Sequence, residues 1–157
     1  MRHRLIVGCW MLVAALACAG ERVALWPEGK IPDLQPHQIA ATTQEAKAPD
    51  CKAADHVMPY LDWYEPPAEK NGACMLLISG GGYNCCCDGA WIDRVAKTFT
   101  ELGFVCVSLT YRTPRPKGLP IYQSAWEDGQ RAVRLVRKDA EKRGFAPEKI
   151  GVLGFSA

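Results

Sequence analysis

The sequence lacks a charge excess of either sign, since its 157 residues carry 19 Lys and Arg against 17 Asp and Glu. Even the net charge of +2 lies in Arg2 and Arg4, because the remaining charges balance at 17 against 17. A protein that binds nucleic acid as its main partner has a strongly basic face, so we expect no nucleic-acid partner. With 48% hydrophobic residues, the chain can form one core, and intrinsic disorder is excluded.

Long hydrophobic runs are also scarce. The apolar stretch from Leu5 to Ala17 is shorter than the roughly 20 residues of a membrane-spanning helix, and we expect no membrane-embedded domain. Basic residues precede this stretch and Ala17-Cys18-Ala19 follows it, which predicts a signal peptide over residues 1–19 and a secreted or periplasmic protein. Two alternatives stay open: an uncleaved anchor, and a resemblance to a bacterial lipobox that would make Cys18 the lipidated first residue.

Metal-binding and nucleotide-binding spacings are absent. The sequence contains no Cys-x-x-Cys, no His-x-x-x-His and no G-x-x-x-x-G-K-[ST], so we expect neither a metal nor an organic cofactor. Cys74 and Cys106 lie in apolar runs and are predicted to be core thiols. Cys51 lies in a polar loop and the Cys85-Cys86-Cys87 run precedes a helix, so a disulfide between them stays open for an exported protein.

The second half of the chain alternates strand patterns with helix patterns. Continuous apolar runs predict three strands, over residues 73–79, 104–109 and 149–154. Apolar residues three or four apart predict two helices, over about 91–102 and 122–143. This order predicts the α/β class, a mostly parallel sheet with right-handed crossovers and flanking helices. Residues 57–64 are predicted to form a half-exposed strand, and residues 20–55 an extended, Pro-punctuated segment.

Two Gly-containing segments follow predicted strands. Gly154-Phe155-Ser156-Ala157 matches the start of the G-x-S-x-G nucleophile elbow, although Gly-x-Ser alone is equally typical of a serine in a turn. Gly80-Gly81-Gly82 lies where backbone N–H groups can hold an oxyanion, and a flexible loop is the alternative. The pair of segments predicts a serine nucleophile beside an oxyanion hole.

Four ordered segments carry a family resemblance. They are Leu-Leu-Ile-Ser-Gly-Gly-Gly-Tyr ending at Tyr83, Leu-Gly-Phe-Val-Cys-Val-Ser-Leu-Thr-Tyr-Arg ending at Arg112, Ala-Trp-Glu-Asp ending at Asp128, and the run from Pro147 to Ala157. In this order and spacing they resemble the N-terminal half of an α/β-hydrolase of the esterase/lipase branch with an HGGG-type oxyanion loop. The opening Leu-Trp-Pro-Glu-Gly is most similar to secreted bacterial acetylxylan or feruloyl esterases.

The resemblance implies a role for several residues. Ser156 would be the nucleophile, with the N–H groups of Gly81, Gly82 and Ala157 as the oxyanion hole, acting on a small-molecule or polysaccharide ester. The acid and the His of this fold follow the nucleophile in the chain, which implies that residues 20–157 are the N-terminal portion of a single hydrolase domain, cut at the nucleophile elbow.

Some positions depart from the family or invite another role. Ser79 stands where many members have His, so the loop-orienting role of that His is either absent or taken by a hydroxyl. Asp128 precedes the nucleophile and is expected to hydrogen-bond loop backbone or to pair with Arg112, rather than to serve as the catalytic acid. Trp91 and Trp126 lie on predicted helices and are expected to have packing roles rather than to serve as platforms for sugar rings.

Three functions fit the fold. The leading hypothesis is a carboxylesterase-type serine hydrolase that acts on acyl esters of carbohydrates. A serine peptidase or lipase would use the same nucleophile. A non-catalytic binding module with a hydrolase scaffold is the alternative from another class.

Overall fold

The computed structural model describes residues 20–41, 58–87 and 89–156. Its strands and helices in chain order are β1 (Glu21–Ala24), α1 (Pro36–Ala41), β2 (Tyr60–Tyr64), β3 (Cys74–Ile78), α2 (Ala90–Glu101), β4 (Val105–Thr110), α3 (Gln123–Lys138), α4 (Ala140–Arg143) and β5 (Ile150–Gly154). The strands form one sheet in the order β1-β2-β4-β3-β5.

The sheet is mixed, with its parallel part in the second half of the chain. β3 pairs in parallel with β4 on one side and with β5 on the other. β2 pairs antiparallel with β4, and β1 pairs antiparallel with β2. The predicted α/β class and the parallel arrangement of the last three strands are confirmed.

The helices cover opposite faces of the sheet and enclose two cores. Leu76 and Leu77 are neighbours on β3, so their side chains point to opposite faces. Leu76 belongs to the core that includes Ala132 and Val136 of α3, whereas Leu77 belongs to the core that includes Ile92 and Ala96 of α2. A sheet covered on both faces explains why its central strands are continuous apolar runs.

The predicted core thiols are confirmed, one on each face. Cys74 and Cys106 are both fully buried, the first in the core under α3 and the second in the core under α2. Desolvation by burial raises the pKa of each thiol to about 12.

Two predictions for the first part of the chain were wrong. The region from Gly20 contains β1 and the short helix α1 rather than only extended chain, because β1 forms by pairing with β2 and not from any local pattern. The strand β2 is buried along its whole length instead of half-exposed. Its alternate residues Leu61 and Trp63 enter one core while Tyr64 enters the other.

The helices follow the predicted positions with local differences. α2 begins after Gly89. Asp88, a residue type favoured at helix N-caps, lies outside the described residues. Leu102 was predicted to join the apolar stripe of α2 but is 63% exposed, because it caps the end of the helix. The predicted long second helix is broken at Asp139 into α3 and α4, and Gly144 ends α4 with a left-handed backbone.

A buried ion pair joins the loop after β4 to α3, as predicted. The guanidinium of Arg112 donates from Nε to both carboxylate oxygens of Asp128 at 3.0 Å, and the Arg112 backbone N–H donates to the same carboxylate at 2.8 Å. Trp26 Nε1 donates to Asp128 at 2.7 Å, and Arg112 also donates to the carbonyl of Pro32. The pair therefore also fixes the segment that follows β1.

Glu127 has a different partner from the one its spacing suggests. An i,i+4 pair with Arg131 is the pattern expected on an exposed helix face. Glu127 instead accepts from Arg112 Nη2 at 2.8 Å and from Gln123 at 2.7 Å, and Arg131 donates to the carbonyl of Leu25. Tertiary contacts override the local pair.

A second buried arginine fastens α4 to the start of the sheet. Arg143 is 6% exposed and its guanidinium lies 3.7 Å from the centre of the Trp63 ring. It donates to Glu21 at 2.6 Å and to Glu65 at 3.2 Å. The hydrogen bond from Arg143 lowers the pKa of Glu21.

We expect Asp128→Ala to lower the free energy of unfolding of the full-length protein by about 3–5 kcal/mol, because it leaves Arg112 buried without its main counter-ion. Urea unfolding measures this change. The matched control is Glu101→Ala, which removes the exposed pair of Lys97 and Glu101 and should cost about 0.5 kcal/mol or less. Equal effects of the two variants would contradict the structural role of the pair.

We expect Cys74 and Cys106 to resist alkylation by iodoacetamide at pH 8 in the native protein. Only about one such thiol in ten thousand is ionised at that pH, and the thiolate is the reactive form. Peptide mass spectrometry before and after unfolding in urea measures the modification. Complete labelling of either thiol in native buffer would show that its burial is wrong.

Candidate active site

The site lies where the carboxyl ends of β3 and β5 meet. In the parallel register Ile78 is opposite Gly154, and the N–H of Phe155 donates to the carbonyl of Ile78 at 3.1 Å. The residues that follow each strand are therefore neighbours in space. This register brings the Gly80-Gly81-Gly82 loop beside Ser156. These are the two segments for which the sequence predicted a functional role.

Ser156 adopts a strained backbone conformation at the end of β5. Its φ is +40°, in the left-handed region that residues other than glycine rarely adopt, and the residue is exposed. A sharp strained turn after a strand is the geometry of the nucleophile elbow. Such strain is typical of functional sites, where the surrounding structure holds the turn.

Gly80 touches this elbow directly. A Cβ atom at Gly80 would lie 2.7 Å from the carbonyl oxygen of Phe155 and 3.1 Å from the Cβ of Ser156. Only glycine permits this approach of the two loops. The sequence predicts a glycine run that includes Gly80 but no separate role for this residue, because the contact depends on the register of β3 against β5.

Gly81 and Gly82, two of the predicted oxyanion donors, line the same cleft as Ser156. Gly81 has a φ of +137°, and a Cβ there would lie 2.0 Å from the carbonyl oxygen of Cys85. Gly82 has a φ of +58°. Across residues 20–41, 58–87 and 89–156, no acceptor takes a hydrogen bond from either N–H. Ala157, the third predicted donor, lies outside the described residues.

Ser79 does not orient the loop through its hydroxyl. The residue is 1% exposed, and its Oγ has no hydrogen-bond partner in the described part of the chain. Of the two possibilities left open by the sequence, the absence of the loop-orienting role is therefore the one that the structure supports. The loop is held by backbone hydrogen bonds instead, from Asn84 to Gly81 and from Cys87 to Gly80.

The three consecutive cysteines form the back of the glycine loop. Cys86 is fully buried, and its thiol donates to the carbonyl of Tyr111 at 3.3 Å. Cys85 packs against Gly81, and Cys87 lines the open side of the loop. Cys51 lies outside the described residues, so the disulfide considered from the sequence stays a prediction.

Ser156 lies between two clefts of similar size. The glycine cleft, with a volume of about 650 Å³, is lined by Gly80–Gly82, Trp91 and Arg94. The aromatic cleft, of about 610 Å³, is lined by smaller residues and by five aromatic side chains, which are Tyr83, Tyr111, Tyr122, Trp126 and Phe155. Phe155 and Ser156 line both clefts.

The two tryptophans differ in their surroundings. The ring of Trp91 packs edge-on against Phe155, with 4.4 Å between centroids, which confirms the packing role predicted for it. The ring of Trp126 packs edge-on against Tyr122, with 5.6 Å between centroids, and the residue is 57% exposed. Helical spacing alone could not show that this face of α3 borders a cleft.

Residues 20–41, 58–87 and 89–156 contain no group of three His, Cys, Asp or Glu side chains that could hold a metal ion. None of the helices placed there has both the length and the apolarity needed to cross a membrane.

The fold, with its parallel strands and the two loops at their carboxyl ends, is that of an α/β-hydrolase. A family model described as BD-FAE matches residues 61–157, which is more than half of the chain. The chain therefore belongs to the BD-FAE family, and the predicted resemblance to the esterase branch of α/β-hydrolases is confirmed.

Known relatives agree with this placement. The chain is 38% identical over 84 residues to endo-1,4-beta-xylanase B of Butyrivibrio fibrisolvens, a match that covers 54% of this chain and 13% of that protein. It is similar to the acetyl ester-xyloside bifunctional hydrolase of Caldicellulosiruptor lactoaceticus, with 27% identity, a TM-score of 0.63, and coverage of 92% of this chain and 45% of the other.

A thermophilic esterase of Thermogutta terrifontis is also similar, with 25% identity and a TM-score of 0.51. That match covers 68% of this chain and 40% of the esterase. The chain thus spans less than half the length of each of these three proteins.

We expect Gly80→Ala to lower the free energy of unfolding by about 1–3 kcal/mol, since the new methyl group must displace the backbone of the Ser156 turn. Gly129→Ala is the matched control, because a Cβ there meets nothing within 4 Å in a helix that glycine weakens. The control should raise stability by about 0.5–1 kcal/mol. Thermal or urea unfolding of the full-length variants measures both, and a neutral Gly80→Ala would contradict the close approach.

Proposed function

We propose that the full-length protein is a serine esterase that hydrolyses acyl esters of carbohydrates. Ser156 is the nucleophile, and the N–H groups of Gly81, Gly82 and Ala157 hold the oxyanion. The observation that carries this proposal is the strained Ser156 beside two backbone N–H groups that no described residue engages. Donors that are oriented before the reaction stabilise the developing charge without the cost of reorienting it.

The reaction proceeds in two steps on these atoms. Ser156 Oγ forms a bond to the ester carbonyl carbon while a general base takes the hydroxyl proton, and the negative charge on the carbonyl oxygen faces the donors. Collapse of this intermediate breaks the bond to the sugar oxygen, which leaves with the proton. Water then hydrolyses the acyl-enzyme by the same route. Neither a metal nor an organic cofactor takes part.

We assign the general base to a His that follows Ser156 in the chain, together with an acid, as this fold implies. The described residues before Ser156 have other functions. His37 contacts the carbonyl of Arg115 at 3.1 Å, and Asp128 is engaged by Arg112 and Trp26. These contacts support the expectation that Asp128 has a structural role.

The relatives support the substrate class. One is named a xylanase and is similar to this chain over 13% of its own length, and another is named an acetyl ester-xyloside hydrolase, so both carry names linked to xylan or its sugars. Residues 1–19, which lie outside the described ranges, have the pattern of a signal peptide. We therefore propose that the protein works outside the cytoplasm, where such polysaccharides are met, and that residues 20 onward belong to a single hydrolase domain.

We expect Ser156→Ala to reduce the kcat of the full-length protein for 4-nitrophenyl acetate by about 10³-fold or more, because the nucleophile is removed. The same variant should no longer react with a fluorophosphonate probe. Ser79→Ala is the matched control, since Ser79 is also a serine of this site but its hydroxyl has no hydrogen-bond partner among the described residues. Full activity of Ser156→Ala would refute the assignment of the nucleophile.

Acetylated xylan, a long-chain triglyceride and a prolyl amide separate the candidate activities of the same fold. Release of acetate from xylan is the expected result. Cleavage of the amide or the triglyceride alone would favour the peptidase or the lipase. A protein that binds these compounds and cleaves none would be the non-catalytic module.

A further inference from the structure

The glycine loop, residues 80–87, is folded back on itself. The N–H groups of Asn84 and Cys85 donate to the carbonyl of Gly81 at 3.1 and 3.4 Å. The two halves of the loop lie so close that a Cβ atom on Gly81 would be 2.0 Å from the carbonyl oxygen of Cys85. Because the halves are in contact, a displacement of residues 85–87 also displaces the N–H groups of Gly81 and Gly82.

The thiol of Cys86 joins this loop to the segment that follows β4. Cys86 is fully buried in the core under α3, and its Sγ donates to the carbonyl oxygen of Tyr111 at 3.3 Å. For comparison, the thiols of Cys85 and Cys106 lie 3.8 and 3.9 Å from their carbonyl acceptors. A thiol is a weak donor, so the shorter distance makes the Cys86 contact the strongest of these three.

The peptide group that accepts from Cys86 is held at its other end as well. The carbonyl of Tyr111 and the N–H of Arg112 belong to one peptide group, and this N–H donates to the carboxylate of Asp128 at 2.8 Å. Asp128 is fully buried. A buried carboxylate that accepts from the N–H polarises the peptide group and strengthens its carbonyl as an acceptor. Hydrogen bonds therefore run in a continuous chain from the glycine loop to α3.

The side chain of Tyr111 contacts the loop too. Its ring centre lies 6.4 Å from that of Tyr83, a loop residue whose φ of +62° is in the left-handed region. Burial raises the pKa of the Tyr111 hydroxyl, and the neighbouring thiols of Cys86 and Cys85 raise it further. The phenol therefore stays neutral beside the loop.

Neither Ser79 nor the backbone bonds within the loop provide such a link. The Ser79 hydroxyl has no hydrogen-bond partner among residues 20–41, 58–87 and 89–156. The N–H groups of Asn84 and Cys87 donate to Gly81 and Gly80, so both bonds begin and end within the loop. These bonds set the internal shape of the loop and do not set its position relative to β4.

We propose that Cys86 is a positioning residue, whose thiol fixes the glycine loop to Tyr111 so that the N–H groups of Gly81 and Gly82 keep their place in the oxyanion hole. This inference rests on the proposed function, since it names the group that holds the proposed donors. Cys86 acts through these donors and takes no part in the bond-breaking steps. Displaced donors stabilise the developing oxyanion less well and leave the binding of the ester almost unchanged.

The test compares Cys86→Ala with Cys86→Ser in the full-length protein. Alanine removes the donor, whereas serine keeps a hydroxyl that can donate to Tyr111. For 4-nitrophenyl acetate we expect Cys86→Ala to lower kcat about tenfold and to change KM by less than about twofold. Cys86→Ser should recover most of the loss. Complete labelling with a fluorophosphonate probe counts the competent molecules, so that kcat is expressed per reactive Ser156 and misfolded protein is not included.

Cys74→Ala is the matched control, because Cys74 is fully buried in the same core but lies at the start of β3. Both alanine variants remove one buried sulfur, and the control should leave kcat and KM unchanged. Hydrogen exchange of the peptide that contains residues 80–87 is the second measurement. We expect faster exchange in Cys86→Ala than in the wild type or Cys74→Ala, because the loop opens locally without its link.

Four results would overturn the inference: unchanged kcat in Cys86→Ala, an equal loss in Cys74→Ala, no recovery in Cys86→Ser, and unchanged exchange of residues 80–87. Hydrogen exchange separates the inference from the proposed function. If the wild-type protein hydrolyses no ester, the proposed function fails, while faster loop exchange in Cys86→Ala alone still supports the positioning role. If hydrolysis persists with the same kcat in Cys86→Ala, the inference fails and the proposed function stands.

Discussion

The parallel pairing of β3 with β5 is the constraint on which the site depends. Because Ile78 is opposite Gly154, the loop after one strand meets the turn after the other at the same edge of the sheet. A shift by one residue would turn every side chain of β5 to the other face. It would also separate Gly80 from the Ser156 turn, which it now touches. The close packing of the two loops thus follows from hydrogen bonds several residues away.

Two buried arginines then fix the parts of the chain that the sheet alone does not hold. Arg112 joins Asp128 of α3 to the carbonyl of Pro32, and Arg143 joins α4 to Glu21 of β1 while lying on the Trp63 ring. Burying such charges costs desolvation energy that their attraction only partly recovers. Their main effect is therefore to select one arrangement of helices and N-terminal segment rather than to add much net stability.

The sequence predicted what depends on local pattern. Continuous apolar runs identified the three parallel strands, and the glycine run and Gly-x-Ser identified the two loops of the site. It could not predict β1, which has no pattern of its own and forms only by pairing with β2. It also missed the contact made by Gly80 and the exposure of Trp126, because strand register and helix orientation decide both. The partner of Glu127 was missed because a distant arginine replaced a neighbouring one.

The two clefts beside Ser156 have almost separate walls. The glycine cleft takes Trp91 and Arg94 from α2, whereas the aromatic cleft takes Ala125 and Trp126 from α3, and the helices lie on opposite faces of the sheet. Substitutions on the outer turns of one helix therefore reshape one wall and leave the other in place. A single substitution on either helix would therefore alter the surroundings of Ser156 on one side only.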